Sequence, residues 1–344
     1  MTSLRLLRCG PGTSIQDRGR FGWHRHGITS SGAADQMALA AANALVGNPP
    51  GTEALELVFL GATIEVRDGP ARLALAGAPM PLRLDGHAIA DHLSFIIEPG
   101  QRLEIGTATA GVYAILAVEG GFAIPPDLGS RSLHRRAGLG GIDGQSLSAG
   151  AVIPLTLATP TNRATAALPP LPVTSGQPLR VVLGPQQGHA TAAGLATFLT
   201  EAFTVTNEVD RMACRLGGPS VALAGSFNIV SDGIVPGSVQ IPGSGLPIVM
   251  LADRQTTGGY PKIATVITPD LRLLVQKRAG EPVRFSAITI EQAEIAARHH
   301  ASVVADLPRR ILELHARAAD SSALLAINLA GHASNACDPA SWQA

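Results

Sequence analysis

Between residues 53 and 155 the chain repeats one pattern, a short apolar run followed by a turn rich in Gly, Pro or Asp. The runs fall at residues 54–59, 62–66, 72–76, 93–97 and 111–118. They are too short for stable amphipathic helices, which need roughly 10–12 residues. Strands broken by turns at roughly ten-residue spacing are the signature of an all-β barrel or sandwich. The pattern returns after residue 179 and continues to 289, so the expected fold class is mainly β with a few helices, in two β-rich units. A faint internal echo agrees with two units. Gly10-Pro11 and Gly184-Pro185 each follow a strand, and each half has a helix near an Asp-Arg pair, Asp17-Arg18 and Asp210-Arg211.

The boundaries follow from composition. Residues 1–155 form a first unit with one N-terminal helix. Residues 156–178, rich in Pro, Thr and Ala without periodicity, read as a linker. Residues 179–289 form the second unit. Residues 290–319 read as a helix broken at Pro308, and residues 320–344 as a mobile tail. The N-terminal helix is expected over residues 35–46, with Ser31 as its N-cap and Asp35 in its first turn. Gly47, Pro49 and Pro50 stop it. A second helix is expected over residues 190–202. Thr289 and Gln292 stand in capping-box spacing at the start of the last one.

A chain of 344 residues can bury a sizeable core. Its formal net charge is zero and only 15% of it is charged, which argues against nucleic acid as a partner. Aromatics at 3% argue against base-stacking platforms. Cys9, Cys214 and Cys337 are too sparse for a disulfide framework or a zinc site. The apolar runs fall short of the roughly 18 residues of a membrane span, and the first ten residues are too short in apolar length for a signal peptide. A cytoplasmic protein without a membrane partner is the expectation.

The chemistry concentrates in residues 236–267. Apolar runs at 247–252 and 263–267 flank a loop, residues 253–262, that carries Asp253, Arg254, Gln255, Thr256, Thr257, Tyr260 and Lys262 around Gly258-Gly259. Lys262 is one of two lysines, with Lys277, in a chain whose other basic residues are all arginine. An ammonium is a compact point charge where a guanidinium is a planar fork. Backbone amides at Gly258 and Gly259, with Arg254 and Lys262, suit an anion such as phosphate or carboxylate; the alternative is a solvated hairpin tip. His24-Arg25-His26 lacks a third metal ligand at clear spacing, so no metal site is expected. His299-His300 reads as solvated. No nucleotide-binding glycine motif and no nucleophile elbow is present. Neither lysine sits in a Met-Lys-Met setting, so the chain is not expected to carry biotin covalently.

Eight segments together carry a resemblance. They are GTSIQDRGRFG (12–22), SGAAD (31–35), LVGNPP (45–50), ALE (54–56), GSRS (129–132), DRM (210–212), SDGIVPG (231–237) and ADRQTTGGYPK (252–262). In these the chain resembles the KipA-like family, which includes the C component of 5-oxoprolinase, proteins labelled allophanate hydrolase subunit 2, and the second half of the urea carboxylase carboxyltransferase domain. The resemblance implies two cyclophilin-like barrel units and a cytoplasmic heteromeric complex with a KipI-like B component and an A component. It implies a small-molecule substrate, with ATP and Mg2+ acting at the level of the complex. The implied activity is opening of 5-oxoproline to glutamate. Two alternatives are a biotin-dependent carboxyltransferase component and a non-catalytic regulator that binds a KipI-like kinase inhibitor. On this reading Asp253, Lys262 and Asp210 are the catalytic candidates, with one aspartate serving as base or as organiser of an arginine. Arg254, Arg211, Gln240, Thr256, Thr257, Gly258, Gly259 and Tyr260 are the substrate- and anion-binding candidates.

Overall fold

The computed structural model describes residues 2–169, 171 and 176–314. The fold is mainly β, in two cyclophilin-like barrel units. Four α-helices occur among the described residues: α1 (Gln36–Val46), α2 (Ala192–Thr200), α3 (Thr268–Val275) and α4 (Ile290–Asp306).

The first unit packs a six-stranded sheet on a five-stranded one. The six-stranded sheet runs Val152–Pro154, Ser3–Cys9, Ala62–Arg67, Arg102–Ile105, Leu82–Leu84, His87–Ile89. The five-stranded sheet runs Ser14–Gln16, Ala54–Val58, Tyr113–Val118, Ala71–Gly77, Ser94–Ile97. Leu4, Leu6, Ile64, Leu75 and Leu116 fill the space between them, all fully buried. In Ala62–Arg67 burial alternates, as expected for a sheet with one wet face. Tyr113–Val118 is buried throughout, because α1 covers the other face of its sheet. Helix α1 is rich in alanine, and that lets it lie close. A Cβ on Gly77 would sit 3.0 Å from the Ala38 methyl and 2.7 Å from the Tyr113 carbonyl.

The second unit is one eight-stranded sheet. Its two edge strands, Pro282–Val283 and Phe285–Ala287, are separated in sequence by Arg284 alone, so the sheet curls back into a nearly closed barrel. Val181, Phe203, Val239 and Ile263 fill it, with Phe198 stacked on Phe285 at 4.4 Å between ring centroids.

Several local expectations are corrected. Asp35, not Ser31, caps α1, accepting the Ala38 amide at 3.0 Å. Ser31 lies in the left-handed region at φ 53° and turns its hydroxyl elsewhere. Helix α3 interrupts the strands expected up to residue 289. The sequence held its signal, Pro269 in the first turn followed by Asp270. Beyond Pro308 the chain does not resume a helix over the residues described. It makes a 3-10 turn, Leu307–Arg310, and then a strand, Leu312–Leu314. That strand pairs with Thr165–Ala167 inside the segment expected as a linker. The capping box at Thr289 and Gln292 is present. Cys337 and the expected tail lie outside the described residues.

Residues 247–252 and 263–267 do not form a hairpin. Ser238–Gln240 lies between Ile248–Met250 and Lys262–Val266 in the sheet. The polar loop therefore crosses over a strand at the end of the barrel, which spreads its side chains instead of gathering them at one tip.

Candidate functional site

The Arg211 guanidinium sits at the centre of the junction between the two units. Arg211 sits in the turn between Phe203–Val209 and Ala213–Gly217 of the second unit. It donates to both oxygens of Asp253, at 2.8 and 3.0 Å. Across the junction it donates to Glu56 of the first unit and, at 2.6 Å, to the Gly32 carbonyl. Ser31 closes the ring by donating to Asp253 at 2.6 Å. Burial pushes the Glu56 carboxyl up, against the pull of Arg211 and of the Ala34 amide, which donates to it at 2.7 Å. Burial pulls Arg211 down, but Glu56 and Asp253 more than restore it, and the guanidinium ends well above its ordinary value. Asp253 thus holds the Arg211 guanidinium in place from within the second unit.

Beside this ion-pair cluster, between the units, lies a cavity of about 590 Å³. That is the size of a small-molecule site. Four basic side chains, Arg135, Arg136, Arg211 and Lys277, line it against two carboxylates, Asp210 and Asp253. Arg135 and Arg136 are exposed, whereas Lys277 is buried. Asp210 is exposed, and one of its oxygens accepts the amides of Met212 and Ala213, at 2.7 and 3.0 Å. Of the expected site residues, Asp210, Arg211 and Asp253 meet here.

The others lie elsewhere. Lys262, 3% exposed, donates from Nζ to Asp232 at 2.8 Å, and Gln186 donates to the same oxygen at 3.0 Å. An anion arriving at Lys262 would have to displace Asp232. Arg254 is buried and donates to the carbonyls of Ile234 and Ala252, at 3.2 and 3.4 Å. Burial pulls it down to about 10, against the opposing effect of Asp253, so it stays charged at neutral pH. Thr257 and Gly258 form a two-residue strand against Asp232 and Gly233. The carbonyls of Thr256 and Gly259 accept the amides of Ile234 and Ile229. These contacts hold the loop down on residues 229–234.

Gln240 and Tyr260 line a second cavity, of about 380 Å³, which shares Asp210 and Met212 with the first. The Gln240 Nε2 is buried without a partner among the described residues. A Cβ on Gly258 would fall 2.6 Å from it, a close approach that only glycine permits.

The Lys262–Asp232 pair gives a measurable pH signature. Hydrogen bonds from Lys262, the Gly233 amide and Gln186 hold the exposed Asp232 carboxyl down at about 2. A carboxylate depressed in the folded state stabilises it above its ordinary titration range, and that contribution is lost as pH falls toward 2. NMR titration of Asp232 should find a midpoint near 2 in the wild type, and one about 1–2 units higher in Lys262→Met. An unchanged midpoint in the variant would show that Lys262 does not hold the carboxylate.

Sequence reasoning left five contributors to the junction out of the expected site: Ser31, Glu56, Arg135, Arg136 and Lys277. Ser31 and Glu56 did stand within the resembling segments 31–35 and 54–56, which was a usable signal. Arg135 and Arg136 were marked only by their Gly-rich, arginine-bearing loop, and Lys277 only by being one of two lysines. Among the described residues no cluster of His, Cys, Asp and Glu suits a metal ion. His24, Arg25 and His26 form an exposed 3-10 turn. His300 is half-buried, and burial pulls it below its ordinary value. No helix among the described residues is long and apolar enough to cross a membrane.

Comparison with known proteins agrees with this architecture. The family described as "Carboxyltransferase domain, subdomain A and B" matches residues 26–287. The chain is 35% identical to the C component of 5-oxoprolinase from Escherichia coli (strain K12) over 291 residues, which cover 84% of this chain and 93% of that protein. It is 28% identical to the urea amidolyase of Saccharomyces cerevisiae over 313 residues, which are 17% of that longer protein. The crystal structure of the Kluyveromyces lactis urea carboxylase superposes with a TM-score of 0.83 at 25% identity, over 91% of this chain and 30% of that one. Two β units joined around Arg211, matched at this length, place the chain: it belongs to the KipA-like family of carboxyltransferase subdomain A and B proteins.

Proposed function

We propose that the chain is the C component of an ATP-dependent 5-oxoprolinase, which opens 5-oxo-L-proline to L-glutamate with a KipI-like B component and an A component. The observation that carries the proposal is the match to the E. coli C component over 93% of its length. The junction cavity supplies a fitting site, small, mixed in charge and richer in cations than in carboxylates. A lactam is an unreactive amide. ATP would supply a phosphoryl group to the lactam oxygen, releasing ADP; water then adds to the carbonyl carbon, the C–N bond breaks as the nitrogen takes a proton, and phosphate departs to leave glutamate. The exposed Arg135 and Arg136 are the cavity's residues suited to a phosphoryl group. Asp253 orients Arg211, and Asp210 is the candidate base. Gln240, Tyr260, Thr256 and Thr257, with the Gly258 and Gly259 amides, are candidates for orienting substrate from the neighbouring loop. Arg254 and Lys262 hold that loop in shape and are available to an anion only on displacement of their present partners.

A second reading, a carboxyltransferase component acting on carboxybiotin carried by another chain, is favoured by the superposition on urea carboxylase. One assay separates them. The chain co-expressed with its B and A components should release glutamate from 5-oxoproline only when ATP is present. An intact complex that releases none, but decarboxylates carboxybiotin in the presence of an acceptor amide, would overturn the first reading in favour of the second.

A further inference from the structure

The chain has two lysines, and their surroundings differ. Lys262 is paired with Asp232. Lys277 is only 8% exposed and lines the junction cavity, yet its ammonium has neither a hydrogen bond nor an ion pair among the described residues.

Lys277 is not left in this position by slack in the backbone. Its neighbours on both sides lock the segment to the first unit. The Gln276 carboxamide accepts the amides of Val112 and Tyr113, at 2.8 and 3.0 Å, and donates to Asp35 and to the Tyr113 carbonyl, at 2.9 and 2.8 Å. Arg278 donates to the carbonyls of Gly111 and Ala108, at 2.9 and 2.7 Å. Between these two clamps the Lys277 side chain is presented to the cavity. The carboxylates on the cavity wall do not neutralise it. Asp253 is held by Arg211 and Ser31, and Asp210 caps its own turn.

We infer that Lys277 binds the carboxylate of a small lactam acid in the junction cavity. The inference rests on the proposed 5-oxoprolinase reading for the identity of that acid. A single compact ammonium on a flexible stem matches one carboxylate, whereas the exposed pair Arg135 and Arg136 suits a more highly charged phosphoryl group. The two kinds of cation thus assign the two ends of the substrate: carboxylate inward at Lys277, activated amide toward the mouth.

With two lysines in the chain, amine labelling reads the site directly. The full chain, alone and in the co-expressed complex, is reductively methylated and mapped by mass spectrometry. Lys277 should be labelled. 5-Oxoproline should protect it, whereas 2-pyrrolidinone, the same ring without the carboxylate, should not. Lys277→Met in the complex should lower kcat/KM for 5-oxoproline by about ten- to a hundredfold, chiefly through KM. Lys277→Arg should recover part of the loss. Labelling that ignores 5-oxoproline in both states, or that 2-pyrrolidinone blocks equally, overturns the inference, as does an unchanged KM in Lys277→Met. A wild-type complex without turnover but with carboxylate-dependent protection would remove the 5-oxoprolinase reading and leave Lys277 as a carboxylate-binding residue.

Discussion

Arg211→Met should lower the stability of the protein by about 3–5 kcal/mol, the cost of breaking a buried ion pair from one side. The methionine fills much of the same volume, so the loss is electrostatic rather than a cavity effect. It leaves Glu56, fully buried, and Asp253 without their shared cation, and it unties the second unit from Gly32 and Ser31 of the first. The effect should also depend on pH. Without Arg211 the Glu56 carboxyl, already pushed up by burial, moves further up. A carboxyl raised in the folded state keeps its proton after the unfolded chain has released its own, so the folded state loses ground as pH rises above about 4.3. Urea unfolding at pH 5 and pH 8 should therefore show the larger loss at pH 8. A loss under about 1 kcal/mol, equal at both pH values, would mean that the cluster does not hold the units together.

Asp17→Ala should cost about 3 kcal/mol or more, because one carboxylate there satisfies several buried donors at once. Its oxygens accept the Ser130 hydroxyl at 2.7 and 3.0 Å, the amides of Gly19 and Arg131 at 2.7 Å each, and the Ser132 hydroxyl. These bonds pin residues 17–19 to residues 130–132, directly before Leu133, Arg135 and Arg136 of the cavity wall. The variant should lose turnover in the complex as well as stability, and Asp17→Asn should recover little, because its amide places two donors among donors. Denaturant midpoints measure the first effect and glutamate release the second. A midpoint within error of the wild type would refute the hub.

The strands were legible because their signals are local. A short apolar run between turn residues is extended whatever it later pairs with, and the runs at 62–66 and 72–76 reappear as Ala62–Arg67 and Ala71–Gly77. Helix α1 was legible for the same reason, although its cap was not. Ser31 and Asp35 are both good caps by type, and only the demand for Ser31 at Asp253 separates them. The loop at 252–262 was legible as a place of specific chemistry, but the convergence of its side chains was not. Adjacent residues point to different partners, Asp253 to Arg211 and Arg254 to backbone carbonyls. Composition drew attention to two lysines; the surrounding motif singled out Lys262, and nothing local marked Lys277.

Periodicity and turn chemistry, which act within a few residues, were enough to indicate two β-rich units and their short strands, and the motif segments carried the resemblance to the family. Long-range packing settled the site. Glu56 and Arg211 are 155 positions apart and meet only because the two barrels abut. The cavity beside them has no counterpart in either unit's own sequence pattern. Lys277 acquires its significance from that same junction, where clamps on both sides present an ammonium to the cavity and no carboxylate holds it.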